Sequence, residues 1–185
     1  SAKKVWWQCT KHNSHCYQMP VSARTGQKQG CPYCAGRRVH ETNSLAKVAP
    51  KIAAQFHPTK NRKLLPRDLT AKSGQSVWWK CDKGPDHEWK TTVNSRTDSR
   101  RGDSCPFCPP KIHQLSVTNS LKTWCKKNGP FGSLVISQWD TKKNRKIRPD
   151  EVIYMAQRID IHWQCSVAPD HHWVASPYRR TVDRQ

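Results

Sequence analysis

One segment recurs three times along this chain, and that recurrence restricts the fold more than any other feature. Val5-Trp6-Trp7-Gln8-Cys9, Val77-Trp78-Trp79-Lys80-Cys81 and Ile161-His162-Trp163-Gln164-Cys165 are copies offset by 72 and then 84 residues. Six positions after each Cys stands a His: His15, His87 and His171. Two further on comes an aromatic (Tyr17, Trp89, Trp173), and nine after the His comes Arg-Thr, at Arg24-Thr25, Arg96-Thr97 and Arg180-Thr181. A repeat of this period predicts an array of small units in place of one large core. Within each segment Val5, Trp7 and Cys9 alternate with Trp6 and Gln8. That is strand periodicity, which puts Trp7 on the side of the Cys and Trp6 on the opposite face.

The first two copies close with Cys31-Pro-Tyr-Cys34 and Cys105-Pro-Phe-Cys108, whose two-residue gap is the spacing of a metal-binding knuckle. A redox C-x-x-C would need a βαβ setting, and a secreted disulfide framework would favour an even number of Cys, whereas there are nine. Hydrophobic residues are only 35% of the 185, and mean hydropathy is -0.91. Units this poor in apolar surface need a metal to fold, and zinc-finger peptides gain about 10 to 16 kcal/mol from it. No run reaches the roughly 18 to 20 apolar residues of a membrane span, and no signal peptide is visible, so no membrane partner is expected.

Between the metal units a second element repeats. Asn43-Ser44-Leu45 matches Asn119-Ser120-Leu121, and Gln55 through Lys63 matches Gln138 through Lys146. Leu45, Val48, Ile52 and Phe56 carry helical spacing, with Asn43 or Ser44 as N-cap. Pro50 predicts a break near Ala49 and the start of a second short helix, and Lys60-Asn61-Arg62-Lys63 reads as a turn. Each unit is then a hairpin, a second ribbon through the Arg, a CPxC knuckle and a helical linker. The boundaries are zinc module 1 at 1–38, a linker at 39–72, module 2 at 73–111, a linker at 112–157 and partial module 3 at 158–185. The chain reads as a segment of a longer array.

The series WWxC, H-x-W, R-T, CPxC, NSL and KN resembles the tandem-repeat family of zinc-ribbon, or treble-clef, zinc fingers. The resemblance implies small α+β zinc-stabilised modules, with β-hairpins joined by short helical linkers. In some proteins such modules lie beside nuclease domains of the very-short-patch repair type. Tyr17 replaces the Trp of the pattern, and the third copy lacks its CPxC.

Repetition separates ligands from bystanders. Cys9, His15, Cys31 and Cys34 form one Cys3His set, and Cys81, His87, Cys105 and Cys108 form another. Each supplies the four ligands of a structural tetrahedral Zn2+ site. Cys165 and His171 are in register for a third, which stays half built within this segment. Cys16 and Cys125 do not recur as Cys.

Lys+Arg number 33 and Asp+Glu 13, a formal +20. Two Cys3His sites with bound Zn2+ lower this to +18, which favours a polyanion partner through displaced counterions. Residues 1–72 hold 14 basic and 2 acidic residues, so contact is expected to concentrate there, with candidates Arg24, Lys28, Arg37, Arg38, Lys60, Arg62 and Lys63, and Arg96, Arg100 and Arg101 further on. The recurring Arg24, Arg96 and Arg180 equally suit a structural brace. Trp6, Trp78 and His162, on the outward strand face, are expected to pack on the adjoining linker in preference to stacking on bases. The acids form no Mg2+-binding cluster and no nucleophile stands out, so no enzyme and no small-molecule substrate are expected. The leading expectation is a zinc-dependent RNA-binding protein in a ribosome or similar ribonucleoprotein, in contact with rRNA and neighbouring subunits. The mitochondrial matrix is the favoured reducing compartment. The alternative is a DNA-binding zinc array attached to a repair or restriction nuclease.

Overall fold

The computed structural model describes residues 3–98, 104–110 and 112–183. Three antiparallel hairpins realise the three copies: β1 (Lys4–Gln8) with β2 (Cys16–Pro20), β3 (Ser76–Lys80) with β4 (Glu88–Thr92), and β5 (Ile161–Gln164) with β6 (His172–Ala175). Their register is the same, pairing Trp7 with Tyr17, Trp79 with Trp89 and Trp163 with Trp173. Cross-strand aromatic pairs of this kind stabilise short hairpins. The indole N–H of each inner Trp donates to a β2-type carbonyl, Trp7 to Met19, Trp79 to Thr91 and Trp163 to Ala175, at 3.0, 3.1 and 3.0 Å.

The expected second ribbon through the Arg is a short helix instead. These are α1 (Val21–Thr25), α4 (Val93–Thr97) and α7 (Pro177–Thr181). The Thr92 hydroxyl caps α4 by accepting from Ser95 N, and Pro177 opens α7 with its φ already helical. Five residues are too few to display a 3.6 period, which is why alternation alone does not reveal them.

Contacts divide the chain into two compact units, Ser1–Lys80 with Glu88–Asp103, and Cys81–His87 with Ser104–Gln185. In the first, Ser44 caps α2 (Leu45–Val48) and Pro50 opens α3 (Pro50–Ala53), the break falling at Ala49 as the Pro predicts. The single buried helical face does not form: Leu45 is buried, but Val48 is exposed. Phe56 has left the helix, and its ring meets Trp79 edge-on at 5.7 Å between centroids. Gln55 O accepts from Lys80 N at 2.7 Å and His57 N donates to Trp78 O at 3.0 Å. The linker thus lays one step of a third strand along β3.

The other unit repeats this with a longer helical pair, α5 (Leu121–Lys127) and α6 (Gly129–Ser137). A Cβ on Gly132 would lie 1.9 Å from Cys125 O, so only glycine permits this approach of α6 to α5. Trp139 meets Trp163 edge-on at 5.6 Å, and Leu121, Cys125, Val135, Val152 and Ile161 complete one buried cluster with them.

The recurring Lys-Asn turn has its reason here. Asn61 Oδ1 accepts from Trp78 N and its Nδ2 donates to Trp78 O, both at 2.8 Å. Asn144 does the same to His162, at 3.1 and 2.7 Å. Trp78 meets the linker through its backbone and through Lys60, which lies over its ring at 4.7 Å, and His162 meets it through its backbone, while the inner Trp takes the aromatic contact. Trp6 remains 70% exposed.

Candidate metal centres

Each site is built from two chain corners. A tight loop follows the first strand: Cys9 N donates to His15 O and His15 N to His12 O, both at 3.0 Å. Cys81 and His87 repeat this, with His87 N bonding to Gly84 O. The CPxC turn supplies the other two thiols. In each set all four ligand atoms lie within 4.8 Å of one another.

Their spacing fits zinc. Tetrahedral bonds of about 2.3 Å to sulfur and about 2.0 Å to nitrogen put sulfurs about 3.8 Å apart and sulfur and nitrogen about 3.5 Å apart. Cys9 and Cys34 sulfurs are 3.6 Å apart, and Cys81 and Cys108 sulfurs 3.9 Å. His15 Nδ1 stands 3.6 and 3.5 Å from the Cys31 and Cys34 sulfurs, and His87 Nδ1 stands 3.7 and 3.4 Å from those of Cys105 and Cys108. These residues would hold one Zn2+ per set in a closed shell.

Burial holds both imidazoles below their ordinary pKa and so in the neutral, ligating form. Burial also pushes the Cys34 thiol up to about 11 and the Cys105 thiol up to about 12. Cys9 is shifted the other way, chiefly by the Lys11 backbone amide that donates to its sulfur. Metal binding therefore releases protons, since thiolate is the ligand.

Residues absent from the sequence reading orient the imidazoles. His15 Nε2 lies 2.7 Å from Thr42 Oγ1, and His87 Nε2 lies 2.5 Å from Thr118 Oγ1. With Nδ1 facing the sulfurs, Nε2 carries the proton and donates it to the Thr, fixing tautomer and ring plane. Both Thr sit in one-turn 3-10 helices, Glu41–Asn43 and Val117–Asn119. Asn43 does not cap α2 but donates to Tyr33 O and Arg38 O, holding the knuckle, as Asn119 does to Phe107 O and Gln114 O. The signal was available, for the shared stretch is Thr-Asn-Ser-Leu and not merely Asn-Ser-Leu.

The third loop has the same shape, with Cys165 N to His171 O at 2.9 Å. The His171 side chain is 69% exposed, and among the described residues no further Cys or His joins it. Cys165 and His171 are thus two of the four ligands that a closed site needs.

The recurring arginines are braces. Arg96 is buried, its guanidinium 5.3 and 5.2 Å from the centroids of Trp79 and Trp89, and it donates to Gln55 Oε1. Arg180 stands likewise between Trp163 and Trp173 and donates to Gln138 Oε1. Arg24 lies over Trp7 at 5.0 Å and donates to Gln29 O. Of the two roles open in the sequence, the stacking and these hydrogen bonds support the brace at Arg24 and Arg96. Lys60 is paired with Glu88 and lies over Trp78. Lys28, Arg37, Arg38, Arg62 and Lys63 are exposed, while Arg100 and Arg101 lie outside the described residues. Among the described residues no helix is long and apolar enough to cross a membrane.

Small hairpins, each followed by a short helix and two of them closed by a Cys3His tetrahedron, define a tandem zinc-finger protein. The chain belongs to the family described as "Probable Treble clef zinc finger domain", whose model matches residues 1–37, 52–111 and 135–185. Among curated proteins, none matches the chain.

Proposed function

We propose that the protein is a non-catalytic, zinc-dependent RNA-binding array, a structural component of a large ribonucleoprotein of the ribosomal kind, an organellar one by preference. The observation that carries this reading is a formal charge of +20 on a chain that holds two complete zinc-ligand sets. A shell of three thiolates and one imidazole leaves no position for a reactive water, so the metal folds the module and the surface is left to act. Exposed Arg37, Arg38, Arg62 and Lys63 are disposed to displace counterions from phosphate, each engaged contact contributing about 0.7 to 0.9 to the salt slope.

The test is a titration of the zinc-loaded protein with RNA at two salt concentrations. Reversing Arg37, Arg38, Arg62 and Lys63 to Glu is expected to weaken binding and flatten the salt dependence. Unchanged affinity and slope would overturn the assignment. Equal loss of affinity for duplex DNA, with DNA bound as tightly as RNA, would favour the DNA-binding reading instead.

A further inference from the structure

Two of the three hairpins carry a linker strand, and they carry it by the same contacts. On β3–β4, Gln55 O takes Lys80 N, Asn61 brackets the Trp78 backbone, Phe56 covers Trp79, Gln55 Oε1 accepts from Arg96, and Thr97 Oγ1 donates to Ala71 O at 2.5 Å. On β5–β6, Gln138, Asn144, Trp139 and Tyr154 do the same for Gln164, His162, Trp163, Arg180 and Thr181. Trp79 and Trp163 are consequently 0% exposed.

The first hairpin has the same edge groups, but among the described residues no linker segment meets them. By register, the Trp6 N–H and C=O point away from β2, as those of Trp78 point away from β4, and among the described residues nothing meets them. Trp7 is only half-buried, and among the described residues no linker ring covers it as Phe56 covers Trp79 and Trp139 covers Trp163. The Thr25 hydroxyl turns back to Val21 O within its own helix. Arg24 lacks a glutamine and reaches Gln29 O.

We propose that the outer edge of β1 is a docking site for a repeat-linker segment of the pattern Gln-aromatic-(His/Asp), followed by the turn Asn, which joins it as a third strand. This is strand addition in which backbone bonds give affinity and the Trp7 face and Arg24 give selectivity. The family match agrees with such a unit, since its second and third stretches begin at 52 and 135, each three residues ahead of the linker Gln. The inference is independent of the nucleic-acid reading.

The experiment joins a second copy of residues 50–75 directly ahead of Lys4, reproducing the junction at Ser76, so that the tether supplies a high effective concentration. Amide hydrogen exchange is then read residue by residue on the zinc-loaded protein. Exchange at Trp6 and Gln8 is expected to slow at least tenfold, with Trp78 unchanged as an internal reference. Replacing the added Asn61 by Ala should abolish the new protection at Trp6, whose N–H then loses its acceptor. Trp6 exchanging at the same rate with and without the added segment would overturn the proposal. So would protection of Trp6 in the unextended chain on raising its concentration, which would assign the edge to self-association, or on adding RNA, which would assign it to base stacking.

Discussion

Asp140 Oδ2 lies 3.2 Å from His172 Nδ1, and at the equivalent places of the preceding repeat His57 Nε2 lies 3.1 Å from Glu88 Oε1. Acid and base have exchanged sides while the pair is kept. On the linker side both residues also end the strand step by accepting backbone amides. His57 Nδ1 takes Thr59 N and Lys60 N, and Asp140 Oδ1 takes Lys142 N and Lys143 N. The linker residue is therefore a turn cap and an electrostatic key for its own hairpin.

Exchange within one repeat tests this. Glu88→His sets His57 against a second imidazole and should lower the melting temperature. The double variant His57→Asp with Glu88→His copies the later repeat and should recover most of the loss. Equal damage in the single and double variants would show that the two positions do not interact.

Glu88 also supplies a pH dependence. The Lys60 ammonium that hydrogen-bonds to it, with His57 second, holds its carboxyl down to about 2 from an ordinary 4.5. A depressed carboxylate contributes stability that is complete above the ordinary value and is lost as pH falls toward the folded one. Carbon-13 NMR of the Glu88 carboxyl should show no midpoint near 4.5. Lys60→Met should move the midpoint upward.

Removing the Asn bracket should be costly. Asn144→Ala leaves the His162 N–H without its acceptor, while the C=O keeps the Asp140 N–H at 3.2 Å, and one unsatisfied group of this kind costs about 1 to 3 kcal/mol. Asn144→Asp keeps the acceptor and loses the donor, so it should fall between wild type and Ala. Denaturant unfolding of the zinc-loaded protein gives the order.

Arg96 separates brace from contact. Arg96→Lys loses the planar stack between Trp79 and Trp89 and should destabilise by about 1 to 2 kcal/mol. If the proposed RNA binding holds, it should leave the salt slope unchanged, because the Arg96 side chain is buried against its own hairpin. A flattened slope in a folded Arg96→Lys protein would restore it as a contact.

The metal ligands were legible because their chemistry is narrow: a Cys or His that recurs in register has few other reasons to do so. The arginines were not, since one guanidinium suits a phosphate or two indoles equally well. The deciding fact, that Trp79 and Trp89 face each other across β3 and β4, follows from register and not from composition. Thr42 and Thr118 were hidden by versatility, because a Thr beside a cap residue is ordinary. Phe56 carried helical spacing from Leu45, yet a single edge contact with Trp79 outweighs one more turn of a helix already broken at Pro50.

Second contacts to the ligands can be tested through affinity. Thr42→Val or Thr118→Val removes the acceptor for the imidazole Nε2–H, and such losses weaken metal binding by about 10 to 100-fold. Competition with a chelator should show this at the altered site alone.

The most direct measurement is zinc stoichiometry by native mass spectrometry. Two Zn2+ per chain are expected, falling to one in Cys31→Ser and in Cys105→Ser, and to none in the double variant, while Cys165→Ser keeps both. No zinc in the unaltered protein, or two retained after either knuckle substitution, would contradict the assignment of two Cys3His centres.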